Sequence, residues 1–137
     1  MRPGSRNTAA VTLSLFAGAA DTATGCLLVF APGLALELMR VPQRDTVMVS
    51  FVGAFVAAVG LSYLWALASW RRSGSPRALR EVWKFTALVR LATGLFSATA
   101  IARGALEPGW WTVPAFDLGL AVLQLALLRR GWLGGAQ

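Results

Sequence analysis

Four apolar runs dominate this chain, and each is long enough to cross a lipid bilayer. The runs cover residues 8–30, 47–70, 82–102 and 110–128. At about 1.5 Å per residue, each helix would reach about 30 Å, the thickness of the hydrocarbon layer. A soluble domain of 137 residues would have to expose much of this apolar surface. We therefore predict an all-α fold, a transmembrane up-down four-helix bundle in a single integral-membrane domain (1–137), with helices over 8–30, 46–70, 76–103 and 110–130.

The basic residues lie at the ends of these runs and predict the orientation of the chain. One side receives Arg2, Arg6, Arg71, Arg72, Arg77, Arg80, Lys84, Arg129 and Arg130, and the other receives Arg40, Arg44 and Arg103. Cytoplasmic loops carry the excess of Lys and Arg, so both termini are expected in the cytoplasm and the bilayer is the inner (plasma) membrane. The net charge of +7 is thus explained by lipid headgroups, and no nucleic-acid partner is expected.

Two further sequence patterns predict which residues lie at the membrane interface and which lie in helix–helix contacts. Amphipathic tryptophan rings favour the membrane interface, so Trp70, Trp83 and Trp132 are expected at the cytoplasmic face and Trp110 and Trp111 at the outer face. Residues 33–40 are expected to form one or two amphipathic turns at the outer surface. Small residues mark close helix contacts: Gly53, Ala57 and Gly60 in the second long helix, and Ala17, Ala20 and Thr24 in the first. These contacts are expected within one chain, and a homodimer or a membrane-protein partner is the alternative.

Three charged residues, Asp21, Arg90 and Asp117, lie inside the apolar runs. A charge at the centre of a bilayer costs roughly 3 kcal/mol on insertion scales, so such groups usually face the bundle interior and have a partner. Counting residues along antiparallel helices places both aspartates at a similar depth, with Arg90 roughly 6 Å away along the bundle. One guanidinium can bind two carboxylates, so the sequence predicts an Asp21–Arg90–Asp117 centre.

Tyr63, Thr93 and Gln124 are the polar side chains expected to support this centre. Two carboxylates and one guanidinium leave a formal charge of minus one, which one proton or a cationic ligand would neutralise. Three interpretations stay open: a structural ionic lock that fixes helix register, a ligand or proton site, or charges that do not interact.

The residue types that the chain lacks exclude several kinds of catalytic, metal and redox site. The chain has no histidine and one cysteine, Cys26. No His-based triad, histidine-ligated metal or haem, or Cys-X-X-Cys motif can therefore be formed. No nucleophile–base pair is recognisable either, so we expect no catalytic residue, no metal site and no cofactor.

Several stretches together resemble a known family. They are AADTATGCLLVFAPGLALELMRVP in the first segment, VGAFVAAVGLSYLWA in the second, a basic residue in the third and FDLGLAVLQLALL in the last. Over roughly residues 12–130 the chain resembles the small bacterial four-helix inner-membrane proteins grouped as DoxX-like. The matching positions are Asp21, Pro32, Gly53, Gly60, Tyr63 and Asp117. The resemblance implies a membrane four-helix bundle without established catalytic residues, and some relatives are accessory subunits of quinone-linked oxidoreductases.

These observations predict a non-catalytic integral membrane protein with a buried Asp/Arg/Asp centre that acts as an accessory or small-ligand-binding component. The alternative is a small transporter coupled to protons or cations, with Asp21 or Asp117 as the carrier carboxylate. Small multidrug transporters that insert in both orientations need balanced loop charges. The bias of nine basic residues against three argues against that arrangement.

Overall fold

A computed structural model describes residues 3–42 and 45–134 as a helical bundle. The helices are α1 (Pro3–Phe30), α2 (Pro32–Leu38), α3 (Thr46–Ser73), α4 (Arg77–Ala102) and α5 (Thr112–Arg129), and a 3₁₀ turn (Pro108–Trp111) leads into α5. The four longer helices are long and apolar enough to cross a membrane. The predicted all-α bundle is therefore confirmed, and the chain is a multi-pass membrane protein. Arg2 and Arg44, two residues of the charge count, lie outside the described residues.

The ends of the helices follow from local sequence. Helix α1 begins at Pro3, before the predicted start at residue 8. Proline is compatible with the first helical position, and no further proline interrupts α1. Asp45 caps α3, accepting a hydrogen bond from the Met48 amide at 2.9 Å. Gly74 ends α3 in the left-handed conformation (φ 69°) that favours glycine.

The last long helix begins later than the sequence indicated. The predicted start at residue 110 falls within the 3₁₀ turn, and α5 begins at Thr112. Pro114 lies in the first turn of α5, where the missing amide hydrogen breaks no helical hydrogen bond. The 3₁₀ turn and α2 lie at the same end of the bundle, which we call the α2 end. The α3–α4 connection lies at the opposite end.

Glycines allow α1 and α3 to pack backbone to backbone. A Cβ atom at Gly25 would lie 2.3 Å from the Ala57 nitrogen, and one at Gly60 would lie 2.4 Å from the Thr22 nitrogen. The predicted stripe on α3 thus contacts α1 within the same chain. The matching positions on α1 are Gly18, Thr22 and Gly25, one position along from the predicted Ala17 and Thr24. Ala17 instead packs in the core with 1% exposure.

The bundle consists of two closely packed helix pairs. Helix α1 packs along α3, and α4 packs along α5, while α3 and α4 have a smaller contact. A hydrophobic cluster lies toward the opposite end and joins the two pairs. Its buried members are Ala10, Ala17, Tyr63, Ala66, Leu79, Trp83, Leu120 and Leu133. Four helices that span a bilayer thus enclose a core that is apolar at one end and polar in the middle.

The glycine contacts generate a testable prediction. We expect Gly60→Ala to destabilise the bundle by about 1–3 kcal/mol, because the new methyl group would meet backbone atoms that cannot move aside. The control is Gly119→Ala in α5, where a Cβ meets nothing within 4 Å. The control should be neutral or slightly stabilising, because alanine favours a helix over glycine. Unfolding followed by circular dichroism in mixed detergent micelles measures both changes. Equal effects of the two substitutions would contradict the packing.

Candidate functional site

Arg90 of α4 forms ion pairs with two carboxylates on two other helices. Its Nη1 atom donates to Oδ1 of Asp117 in α5 at 2.5 Å, and its Nη2 atom donates to Oδ2 of Asp21 in α1. The side chains of Arg90, Asp21 and Asp117 are 4%, 7% and 16% exposed. The three residues that the sequence singled out therefore lie together, and we call them the Asp–Arg–Asp centre.

A seven-residue register between the parallel helices α1 and α4 sets up this contact. Trp83 Nε1 donates to the Ser14 hydroxyl at 2.8 Å, and the Arg90–Asp21 pair lies seven residues further along both helices. A seven-residue repeat returns to the same face of a helix, so both contacts lie on one seam. The polar bonds of this seam fix the register of α1 against α4.

Other side chains complete the coordination of the centre. Thr93 Oγ1 lies 2.9 Å from Asp117 Oδ2, so both Asp117 oxygens have a partner. The Arg90 Cζ atom lies 5.3 Å from the centroid of the Phe116 ring, within the range of a cation–π interaction. Arg90 is thereby held by two charges and one aromatic face, and a group restrained in this way has little freedom to swing toward lipid.

A second hydrogen-bonded group lies beside the centre and links α3, α4 and α5. Gln124 Nε2 donates to Tyr63 Oη at 2.5 Å, and Tyr63 Oη lies 2.7 Å from Thr86 Oγ1. Thr86 in turn donates to the Val82 carbonyl oxygen at 2.8 Å. These bonds give one consistent direction of donation, from Gln124 through Tyr63 and Thr86 to a backbone acceptor.

Two buried polar atoms near the middle of the bundle lack a hydrogen-bond partner among the described residues. They are Arg90 Nε, a donor, and Gln124 Oε1, an acceptor. Buried polar groups without protein partners are the usual ligands of internal water. These two atoms therefore add unpaired hydrogen-bonding groups to the polar middle of the bundle.

A cavity of about 460 Å³ leads from the α2 end to the Asp–Arg–Asp centre. Residues of α1, α2, α3, the 3₁₀ turn and α5 form its walls, which are mostly apolar and include Val56, Trp110 and Phe116. Asp21 and Asp117 line it, whereas Arg90 does not. The volume and the combination of apolar walls with few polar groups are typical of small-molecule sites.

The path beyond the centre is closed toward the opposite end. Trp83, Leu79 and Ala66 are fully buried there and belong to the hydrophobic cluster. The cavity is thus a pocket that is closed toward the opposite end, and Asp21 and Asp117 lie at its inner end. Such a site can hold a molecule beside two carboxylates while a hydrophobic barrier separates it from the other side of the bundle.

Some expectations for single residues need correction. Trp83 has no exposed surface and donates to Ser14, so its ring faces the bundle interior, and not the lipid headgroups as the prediction of an interfacial ring required. The buried hydroxyl of Ser14 supplies the acceptor that a headgroup would otherwise provide. Of the predicted supporting residues, Thr93 contacts the centre directly, whereas Tyr63 and Gln124 belong to the adjoining hydrogen-bonded group.

Sequence reasoning missed Thr86, Ser14 and Trp83. Thr86 precedes Arg90 by one helical turn, and Ser14 and Trp83 precede Asp21 and Arg90 by two turns. Residues at these spacings share a helix face, so the spacing to each charged residue was the available signal.

Comparisons with known proteins found no relative. No protein-family model, no curated protein and no solved structure matches the chain. The cavity and the Asp–Arg–Asp centre are therefore the features of the chain that indicate a function.

The ion pairs predict that removing Arg90 alone costs more stability than removing all three charges together. We expect Arg90→Ala to destabilise the protein by about 3–5 kcal/mol, because it leaves two buried carboxylates without their cation. The triple variant Asp21→Asn, Arg90→Met, Asp117→Asn should lose much less stability, because no unpaired charge remains. Detergent unfolding followed by circular dichroism measures both variants. A triple variant as unstable as Arg90→Ala would show that the ion pairs do not explain the loss.

Proposed function

We propose that this protein is a non-catalytic membrane protein that binds a small, largely apolar molecule in the cavity at the α2 end. The supporting observation is the cavity itself, which is bounded by apolar side chains and has two carboxylates at its inner end. A centre that served only as a lock between helices would need no such opening, and apolar residues would pack over it. The open approach to Asp21 and Asp117 therefore favours binding over a purely structural role.

We also propose a relationship to the DoxX-like proteins and an orientation of the chain in the membrane. The resemblance of the sequence to DoxX-like four-helix proteins supports a role as an accessory component, alone, as a homodimer or with a membrane-protein partner. Among the side chains that the structure describes, seven exposed basic residues lie at the opposite end and two, Arg40 and Arg103, at the α2 end, which supports cytoplasmic termini in a bacterial inner membrane. The seven are Arg71, Arg72, Arg77, Arg80, Lys84, Arg129 and Arg130.

This orientation predicts that a cytoplasmic reporter fused after Gln137 is active. Activity of a periplasmic reporter at the same position would reverse the assignment.

A small transporter coupled to protons or cations is the second candidate. The observation in its favour is the construction from two helix pairs, α1 with α3 and α4 with α5, which can tilt against each other around a central site. Transport would also require an opening through the hydrophobic cluster, where Leu79 and Trp83 are fully buried. We rank binding first because the buried hydrophobic cluster closes the path from the cavity to the opposite end.

The proposed binding predicts that the protein retains a small molecule through purification. The protein is purified in a mild detergent, and its bound molecules are extracted and identified by mass spectrometry. Val56→Phe fills the cavity, and Val122→Phe places the same ring on a surface that is 62% exposed. We expect a molecule that the wild type and Val122→Phe retain and that Val56→Phe loses. Identical extracts from all three proteins would contradict binding in the cavity.

A further inference from the structure

The charged groups that a molecule would meet in the cavity are two carboxylates, which accept hydrogen bonds, and they lie beside the hydroxyls of Thr24 and Thr112. Both carboxylates of the Asp–Arg–Asp centre line the cavity, while the guanidinium lies behind them and outside the lining. Both Asp117 oxygens are engaged, by Arg90 and by Thr93. The free acceptor at the inner end must therefore come from Asp21.

Asp21 Oδ1 is that free acceptor. The Asp21 side chain is 7% exposed, and Oδ2 is bound to Arg90. No residue within 3–42 or 45–134 donates to Oδ1, and the atom is not fully enclosed by protein, so it is reached from the cavity that Asp21 lines. A carboxylate oxygen that is almost buried and unpaired is a strong acceptor for a charged donor.

The charge of the centre and the aromatic side chains favour a cation. Two carboxylates and one guanidinium leave a formal charge of minus one in an environment of low dielectric constant, where a neutralising charge is strongly attracted. Trp110 lines the same cavity, and aromatic faces attract cations, as the Phe116 ring does for Arg90. An anion would be repelled, and a neutral alcohol could donate one hydrogen bond without supplying charge.

We propose that the cavity selects lipophilic amines in their protonated form, with the ammonium group donating to Asp21 Oδ1 and the alkyl body against the apolar walls. This inference rests on the proposed function, because it names the class of molecule that the same cavity binds. No covalent step is involved. The ammonium completes the charge of the Asp–Arg–Asp centre while Arg90 keeps both of its ion pairs.

Three probes of equal chain length test the selectivity: decylamine, decanol and decanoate. Their binding to the wild-type protein in lipid nanodiscs is measured by calorimetry, and binding to empty nanodiscs is subtracted. We expect decylamine to bind about tenfold or more tightly than decanol, because a hydroxyl donates to the carboxylate without supplying a neutralising charge, and we expect decanoate to bind least. Equal binding of decylamine and decanol to the cavity would overturn the inference.

Variants locate the selectivity and separate this inference from the proposed function. Asp21→Asn should bind decanol as the wild type does and lose the tenfold preference for decylamine, whereas Glu81→Gln removes an exposed carboxylate as the control and should keep it. Val56→Phe should weaken both probes. If Val56→Phe weakens both while the wild type shows no preference, the cavity binds but the ammonium inference is wrong. If Val56→Phe weakens neither, both proposals are wrong. Should Asp21→Asn fail to fold, the ranking of probes on the wild type and Val56→Phe decides.

Discussion

The double ion pair of Arg90 is the interaction on which the rest of this structure depends. Within a bilayer, apolar side chains gain little by leaving lipid for protein, so helices associate through close packing and polar contacts. Each helix pair in this bundle has close packing of its own, as at Gly25 and Ala57 between α1 and α3. Between α1 and α4, the polar contacts at Arg90–Asp21 and Trp83–Ser14 accompany the hydrophobic cluster that both helices share. The charged centre is therefore the ionic contact that joins α1 of one helix pair to α4 and α5 of the other.

The same interaction explains how a structural element can also be a binding site. An arginine shared by two carboxylates leaves one negative charge unmatched, and the packing leaves that charge beside a cavity. If the bundle needed only a lock, one carboxylate with one guanidinium would be enough, and the second carboxylate would add a desolvation cost. Under the proposed function, the cavity would let a ligand reach this excess charge, and the same three side chains would then supply both the stability of the centre and its capacity to bind.

The charged centre could be predicted from the sequence, whereas the cavity and the surroundings of some single residues could not. The cost of charge in lipid singled out Asp21, Arg90 and Asp117, and helix rise placed them at depths from which they can meet. The cavity was not predictable, because its volume depends on how α2 and the 3₁₀ turn hold the ends of the long helices apart. The burial of Trp83 could not be predicted, because the general preference of tryptophan for the interface does not indicate that the Ser14 hydroxyl on α1 accepts its hydrogen bond. The start of α1 was placed too late because Asn7 and Thr8 have the composition of a cap, although the helix continues through them.

Solid-state NMR of the protein in lipid bilayers tests the Asp–Arg–Asp centre most directly. With arginine labelled by ¹⁵N and aspartate by ¹³C, dipolar dephasing reports which guanidinium nitrogens lie beside a carboxylate carbon. The chain has only three aspartates, Asp21, Asp45 and Asp117, so single substitutions assign the signals. The account predicts that Arg90 is dephased by two carboxylates and that Asp21→Asn and Asp117→Asn each remove one contribution. Dephasing of Arg90 that neither substitution changes, or no dephasing at all, would contradict it.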